Sequence, residues 1–451
     1  MDFMELILKF FGFIQSAGSV VMMPIIITLI GLVMGAGVGK SIRGGLTVGV
    51  GLIGLNLATG LMGYLATAVA SMSERFGLTL STIDIGWPAA AAAAFATEVG
   101  TYIIPLCLLV NIIMIVTSTT QTVDIDVWNY WHFAFTGSLV AVITKSVPLG
   151  LVAAVVNEII VLVLGDITAP ALETTLGMPG VSLPHGFTAA FAPIALVCNW
   201  LIEKIPGLNK VDFTLDGLQD KIGVFGEPVI VGFVLGLVIG FLGGQNFVTA
   251  MTTAVNLAAA MVLIPRMASL LMEGLMPISD AASAFIDKHF QGKGKMYIGL
   301  DSAVGVGHPL TITLGLLLVP VSVLLAVALP GNTVLPAVDL SVFPFMFVLI
   351  LPICKGNGFR SLLTGIICII AGLYIATALA GPTTEVCHGI GQYTDIASLS
   401  SICDGANPLT FVLYKLGTLG SQPIAYAVFA VIGVVFVIFN GIRIRKLNKG
   451  E

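Results

Sequence analysis

The sequence predicts an all-α polytopic membrane protein built from two inverted repeats, and three observations carry that expectation. Of 451 residues, 57% are hydrophobic and only 10% charged. Soluble domains run near a quarter charged, and so few charges cannot coat a water-facing surface of this size. Several apolar stretches approach or exceed the roughly 20 residues that cross a bilayer core. Finally, the two halves resemble each other at a roughly constant offset of about 204 to 220 residues.

The clearest apolar stretches are Gly18–Val38, Leu46–Met72, Thr101–Thr117, Val147–Leu164, Pro228–Leu242, Thr311–Ala328, Ser361–Ala380 and Ala425–Phe439. Met1–Gln15 lacks a basic start and a small-residue cleavage site, so it reads as an amphipathic surface helix and not as a cleaved signal. Two further stretches are apolar but punctuated. Val181-Ser182-Leu183-Pro184-His185-Gly186 opens a short run ending at Glu203-Lys204, and Asp404-Gly405-Ala406-Asn407-Pro408 opens another. Both read as re-entrant hairpins, because irregular backbone at membrane depth is tolerated only against protein or a polar cavity. The count is then about 11 transmembrane helices plus two re-entrant hairpins. The 52 glycines and 21 prolines suit close helix packing and broken helices. Six scattered cysteines form no CxxC pair, and Cys387 and Cys403 could bridge only if both face an oxidising side.

The duplication is weak at each match and consistent across them. PIIITLIGLVMG from Pro24 pairs with PVIVGFVLGLVIG from Pro228, and Gly60-Leu61-Met62 with Gly274-Leu275-Met276. AVASMSERFG from Ala68 pairs with AASAFIDKHFQG from Ala281, VDIDVW from Val123 with VDLSVF from Val338, and PHGFTAAF from Pro184 with DGANPLTF from Asp404. Pro88–Ala96 and Ile298–Gly307 are also equivalent. Each repeat holds five spans, and a last span lies near Ile424–Phe439. An odd number of spans inverts the second repeat in the membrane. With the N-terminus outside, fourteen of the 19 Lys and Arg fall inside, four outside and Arg266 within a span, as the positive-inside rule asks. The C-terminus is then cytoplasmic. Inverted repeats are a transporter signature, with the substrate between them near the midplane.

Ionisable groups in lipid are expensive unless they face a cavity or a partner, so the candidate site is short. Glu98 opens a span, and its plainer reading is a helix-start carboxylate. His132 sits in VWNYWHF, where an interfacial histidine is the alternative. His185 and Gly186 begin the first hairpin. Asp301 opens a glycine-rich segment as a helix cap or a ligand, and His308 precedes Pro309. Glu227 and Asp84 read better as span caps. Sugars and polyols present adjacent hydroxyls, each both donor and acceptor. Carboxylates, imidazoles and amides match them, and aromatic faces cover the C–H side. Glu98, Asn129, His132, His185 and Asp301, with Trp87 or Trp131, form a set of that chemistry, and Asn407 holds the second hairpin. A buried carboxylate or imidazole would accept the hydroxyl proton if a phosphoryl group were transferred. No P-loop, HExxH, nucleotide fingerprint or metal-ligand cluster is present, so no metal and no cofactor is expected. No basic stripe suggests nucleic acid.

TIDIGWP, VDIDVWNYWHFAFTG, LPHGFTAAFAPIA, the long block from Glu203 to Gly240, YIGLDSAVGVGH and LPGNTVLPAVDL resemble the galactitol-type EIIC component of the phosphoenolpyruvate-dependent sugar phosphotransferase system (PTS). The resemblance runs from about Gly18 to the last span. It implies a homodimer in the bacterial cytoplasmic membrane, each protomer with a V-shaped scaffold (residues 1–73 and 223–280) and a core carrying the hairpins (74–222 and 281–422), then a final span and tail (423–451). The core would move as an elevator. Separate EIIB and EIIA proteins would supply phosphate at the cytoplasmic face, so that with EIIB the chain forms a sugar phosphotransferase. By motif, the family's sugar contacts fall on His132, His185 and Asp301, with Glu98 and Asp301 as candidate proton acceptors. The residue after the first hairpin's histidine is Gly186, where ascorbate-type members carry an amide, so a galactitol-like polyol is expected. The alternative is an ion-coupled secondary transporter of a polar small molecule without phosphorylation.

Overall fold

A computed structural model describes residues 19–77, 81–212, 228–289, 295–336 and 338–450. The expected surface helix Met1–Gln15 and the residue Glu227 lie outside them. The described chain is mostly helical. Five helices are long and apolar enough to cross a membrane: Glu98–Val116, Val147–Leu176, Pro309–Ala328, Gly358–Gly389 and Gln422–Lys449. Shorter apolar helices lie within the other expected spans.

In chain order the helices are α1 (Ser19–Val33), α2 (Val38–Gly60), α3 (Met62–Arg75), α4 (Gly86–Ala96), α5 (Glu98–Val116), α6 (Trp131–Thr144), α7 (Val147–Leu176), α8 (Gly186–Ala190), α9 (Ala192–Lys204), α10 (Pro228–Leu242), α11 (Phe247–His289), α12 (Ala303–Val306), α13 (Pro309–Ala328), α14 (Phe343–Ile353), α15 (Gly358–Gly389), α16 (Pro408–Gly417) and α17 (Gln422–Lys449). The run expected as a single span, Leu46–Met72, is two helices parted at Leu61, which makes no side-chain cap. Its counterpart α11 continues unbroken for 43 residues. Gly274, the match of Gly60, serves close packing there: a Cβ would lie 2.8 Å from the Gly44 carbonyl oxygen of α2. Helices α1–α3, α10 and α11 pack mainly on one another. The apolar core fills the space among α5–α7 and α13–α15, where Phe133, Phe135, Phe343 and Phe347 are fully buried.

Six short strands depart from an all-α expectation. They form two parallel three-stranded sheets, in the order β5-β1-β6 and β2-β4-β3. The strands are β1 (Thr82–Asp84), β2 (Thr122–Asp124), β3 (Val181–Ser182), β4 (Tyr297–Gly299), β5 (Val334–Leu335) and β6 (Leu399–Ser400). Each leads into a helix start or hairpin. These irregular approaches are buried, so their backbone N–H and C=O groups must pair with something; a neighbouring approach supplies the partner. Each sheet centres on a strand from one half and flanks it with two from the other. Asp84, expected as a span cap, is an organiser of the first sheet: its carboxylate accepts the N–H of Gly86 at 3.2 Å and of Asp339 at 3.0 Å. All six cysteines are free and buried, so Cys387 and Cys403 do not form a bridge.

The last helix is locked to the core through Asp166 of α7. This fully buried carboxylate accepts from Thr120 Oγ1, the Gln121 N–H, Thr122 Oγ1 and Asn440 Nδ2, at 2.6–2.9 Å. Arg443 of α17 donates to its backbone carbonyl at 2.9 Å. Asp166→Ala strands four donors in a dry interior, and the expected cost is about 3–5 kcal/mol. Thermal unfolding of the purified variant in detergent, compared with the parent, checks this. An unchanged midpoint would contradict it. Elsewhere Glu203 of α9 pairs with Lys355 at 2.8 Å and Arg360 at 3.0 Å. The Lys355 hydrogen bond, aided by the charges of Lys355 and Arg360, holds the Glu203 carboxyl below its ordinary range.

Candidate functional site

Three helix starts converge. His132 is the second residue of α6, just after the 3-10 turn Val127–Tyr130. His185 is the N-cap of α8 and begins the first hairpin. Asn407 is the N-cap of α16 in the second hairpin, accepting the N–H groups of Leu409 and Thr410 with its side-chain oxygen. Helix starts leave backbone donors unpaired, and polar capping residues satisfy them. The same need explains why polar side chains collect at this depth.

His132 Nδ1 lies 2.5 Å from Asp404 Oδ2, and both side chains are essentially inaccessible. With a carboxylate as acceptor, Nδ1 carries the proton and Nε2 keeps its lone pair. Nε2 is buried and has no partner among the described residues. Asp404 Oδ1 accepts from Asn407 Nδ2 at 3.2 Å, and the same amide donates to the Gly186 carbonyl at 3.0 Å. The starts of α8 and α16 are thereby bonded to each other and to the start of α6. The His132 ring stands edge-on to the His185 ring with centroids 4.5 Å apart, and Trp131 covers it at 4.0 Å.

His185 Nδ1 accepts the Thr188 N–H at 3.4 Å, which leaves the proton on Nε2. That nitrogen lies 3.6 Å from Asp301 Oδ1, too far for a good direct hydrogen bond. Asp301 Oδ1 also accepts the Ala303 N–H at 2.8 Å, and its side chain is 26% exposed. Phe345 approaches the His185 ring at 6.4 Å. The arrangement offers an acceptor at His132 Nε2, a donor at His185 Nε2 and a carboxylate at Asp301. A hydroxyl between His185 and Asp301 can accept from one and donate to the other, which is the pairing an adjacent-hydroxyl ligand requires.

Of the residues singled out from the sequence, His132, His185, Gly186, Asp301 and Asn407 come together here. Asn129 stands one turn before His132 and donates to Asp126 Oδ2 at 2.7 Å. Trp87 lies at the start of α4, half-buried, its N–H donated to Asp339 Oδ1 at 2.6 Å. Glu98 is exposed at the first position of α5, where the N-cap Thr97 closes the helix. Among the described residues no hydrogen bond or ion pair joins it to the histidines. His308 caps α13 without a side-chain bond. Asp404 was not picked out as a site residue. Its only signal was the Asp-Gly-Ala-Asn-Pro hairpin opening, because its partner His132 lies 272 residues away. His132, Cys403 and Asp404 are the one group of metal-ligating types found among the described residues. The direct His132–Asp404 bond already occupies the facing atoms.

Gly186 is required by this convergence. A Cβ there would fall 2.3 Å from His132 Cβ. Gly186→Ala therefore displaces the histidine or the hairpin, and overpacking of this kind costs about 1–3 kcal/mol. The expected result is binding of a hydroxyl-bearing ligand weakened by about tenfold or more, with a smaller change in thermal stability. Binding equal to that of the parent would rule out the close contact.

A family model described as the PTS system sugar-specific permease component, EIIC-GAT, matches residues 13–396. A chain of Escherichia coli K12, named as a permease IIC component without a stated sugar, is 38% identical over 97% of this chain and 100% of its own length. The galactitol-specific EIIC component of the PTS from the same organism is 35% identical over 94% of this chain and 93% of its own. The family model takes in the histidine helix and the His185 segment, the two relatives extend across nearly the whole chain, and on that ground the chain belongs to the galactitol-type family of PTS sugar-specific permease components.

Proposed function

We propose that this chain is the translocating EIIC subunit for a galactitol-like polyol, carrying it inward as phospho-EIIB delivers a phosphoryl group at the cytoplasmic face. The observation that carries the reading is the His132–Asp404 and His185–Asp301 constellation between the two hairpins. It presents an acceptor at His132, a donor at His185 and a carboxylate at Asp301, with His185 Nε2 and Asp301 Oδ1 3.6 Å apart and the two histidine rings 4.5 Å apart. Asp301, part-exposed and adjacent to His185, is the better placed of the two candidate proton acceptors. Glu98 is exposed at a helix start and is the lesser one.

The inverted-repeat and elevator reading has support from three sides. The central strands of the two sheets, β1 at Thr82 and β4 at Tyr297, are 215 residues apart, and their flanking strands follow at similar offsets. Helices α1–α3, α10 and α11 associate mainly with one another, as a scaffold should. Charges assigned to one side of the membrane meet: Glu203 with Lys355 and Arg360, and Lys295 with Glu173. Eleven spans, an outside N-terminus and a homodimer belong to the same proposal. The exposed stripe Ile42, Leu46, Val50, Ile53 and Leu57 along α2 suits lipid or a second scaffold.

The test is uptake into membrane vesicles loaded with phosphorylated EIIB and offered a panel of labelled polyols. Galactitol or a close relative is expected inside as its phosphate ester. Polyol accumulating unmodified, and independently of EIIB, would replace this reading with ion-coupled transport.

A further inference from the structure

Glu158 lies twelve residues into α7 and is fully buried, and among the described residues its carboxylate has no hydrogen-bond partner other than the weakly donating Cys107 thiol. No cation stands beside it among the described ion pairs. A bare carboxylate at that depth is strongly disfavoured, so the group must be neutralised by something it holds. The Tyr130 hydroxyl, from the 3-10 turn, is also buried and has no partner among the described residues. The titratable groups acting on Glu158 are Cys107 of α5, Asp124 of β2 and Tyr130. Segments α8, α14 and β3 carry none, and Tyr414 and Lys415 of α16 and Tyr297 of β4, elements that also pack on α7, are not among the groups acting on Glu158. Helix α17 approaches this stretch at Gly433, against Val156 and Ile159. On α6, His132 belongs to the sugar side, which Asn157 reaches through Thr136.

The ligand is a proton and not a metal ion. Sodium, magnesium or calcium would require about five to eight oxygen ligands, and a thiol is a poor ligand for such hard cations. Nor does the fold require the acid. Counting from the two N-caps, Ser146 of α7 and Asn357 of α15, the residue matching Glu158 is Ile369, buried and apolar. The corresponding helix of the second half forms without a carboxyl there.

We propose that Glu158 is a proton-binding site of the moving domain, protonated in this conformation and exchanging its proton with water during transport. The second clause rests on the transport reading above. Infrared difference spectra of the full chain in lipid are the test, with unphosphorylated sugar exchange in the same vesicles. A protonated-carboxyl band is expected in the wild type, absent from Glu158→Gln and lost reversibly as pH rises. Exchange should fall up to about tenfold per pH unit above the midpoint in the wild type and stay flat in Glu158→Gln. A wild-type spectrum without the band overturns the proposal. So does a band that never titrates, together with identical pH profiles for the two proteins. Should Glu158→Gln fail to fold, the wild-type titration still decides. Absent sugar flux in the wild type would instead count against the transport reading and leave the infrared result standing.

Discussion

Asp404→Ala is expected to abolish uptake and to destabilise the protein. The substitution leaves the buried Nδ1–H of His132 without an acceptor and frees Asn407 from one of its two tethers. Removing one partner of a buried, hydrogen-bonded pair costs about 3–5 kcal/mol. It also releases the tautomer that keeps Nε2 an acceptor. Uptake should fall at least about 100-fold, because a catalytic or binding group displaced by an ångström loses that much. Asp404→Asn separates the two effects. The amide oxygen can still accept from Nδ1, but the amide NH2 then faces the Asn407 NH2 that Asp404 Oδ1 had accepted, so stability should return only in part, to about 1–3 kcal/mol below the parent, with uptake only partly restored. Thermal unfolding and vesicle uptake on the same preparations provide the comparison. Full activity in Asp404→Ala would remove this pair from the mechanism.

His185 and Asp301 divide binding from chemistry. His185→Ala should weaken polyol binding about 10- to 100-fold, since a buried hydroxyl left without its donor costs about 1–3 kcal/mol. Asp301→Asn keeps an acceptor oxygen for the same hydroxyl but not the basicity to take its proton. Binding should change by less than about tenfold, while formation of the phosphate ester falls about 10²–10⁴-fold, the range for a lost general base. Combining His185→Ala with Asp301→Ala should cost less than the two separate losses, because both contacts serve one hydroxyl. Binding measured by labelled galactitol, and phosphorylation measured with phospho-EIIB, separate these outcomes. If Asp301→Asn leaves the phosphorylation rate intact, Asp301 is not the acceptor.

Much of the architecture was legible in the residues alone. A tenth of the chain charged over such length leaves only a membrane interior as surroundings. Pro-His-Gly and Asn-Pro at the openings of short apolar runs marked breaks in the chain, and the short helices α8 and α16 begin there. Scarcity of ionisable groups made His132, His185 and Asp301 stand out, because each charge at depth needs a reason. The tertiary structure decided the pairings. That Asp404 bonds His132 across 272 residues, that Asn407 ties to Gly186, and that strands from each half flank a strand of the other are contacts between distant segments. Local propensity cannot encode them. They follow from burying irregular backbone, where every N–H and C=O must find a partner and the available ones come from the other half of the chain.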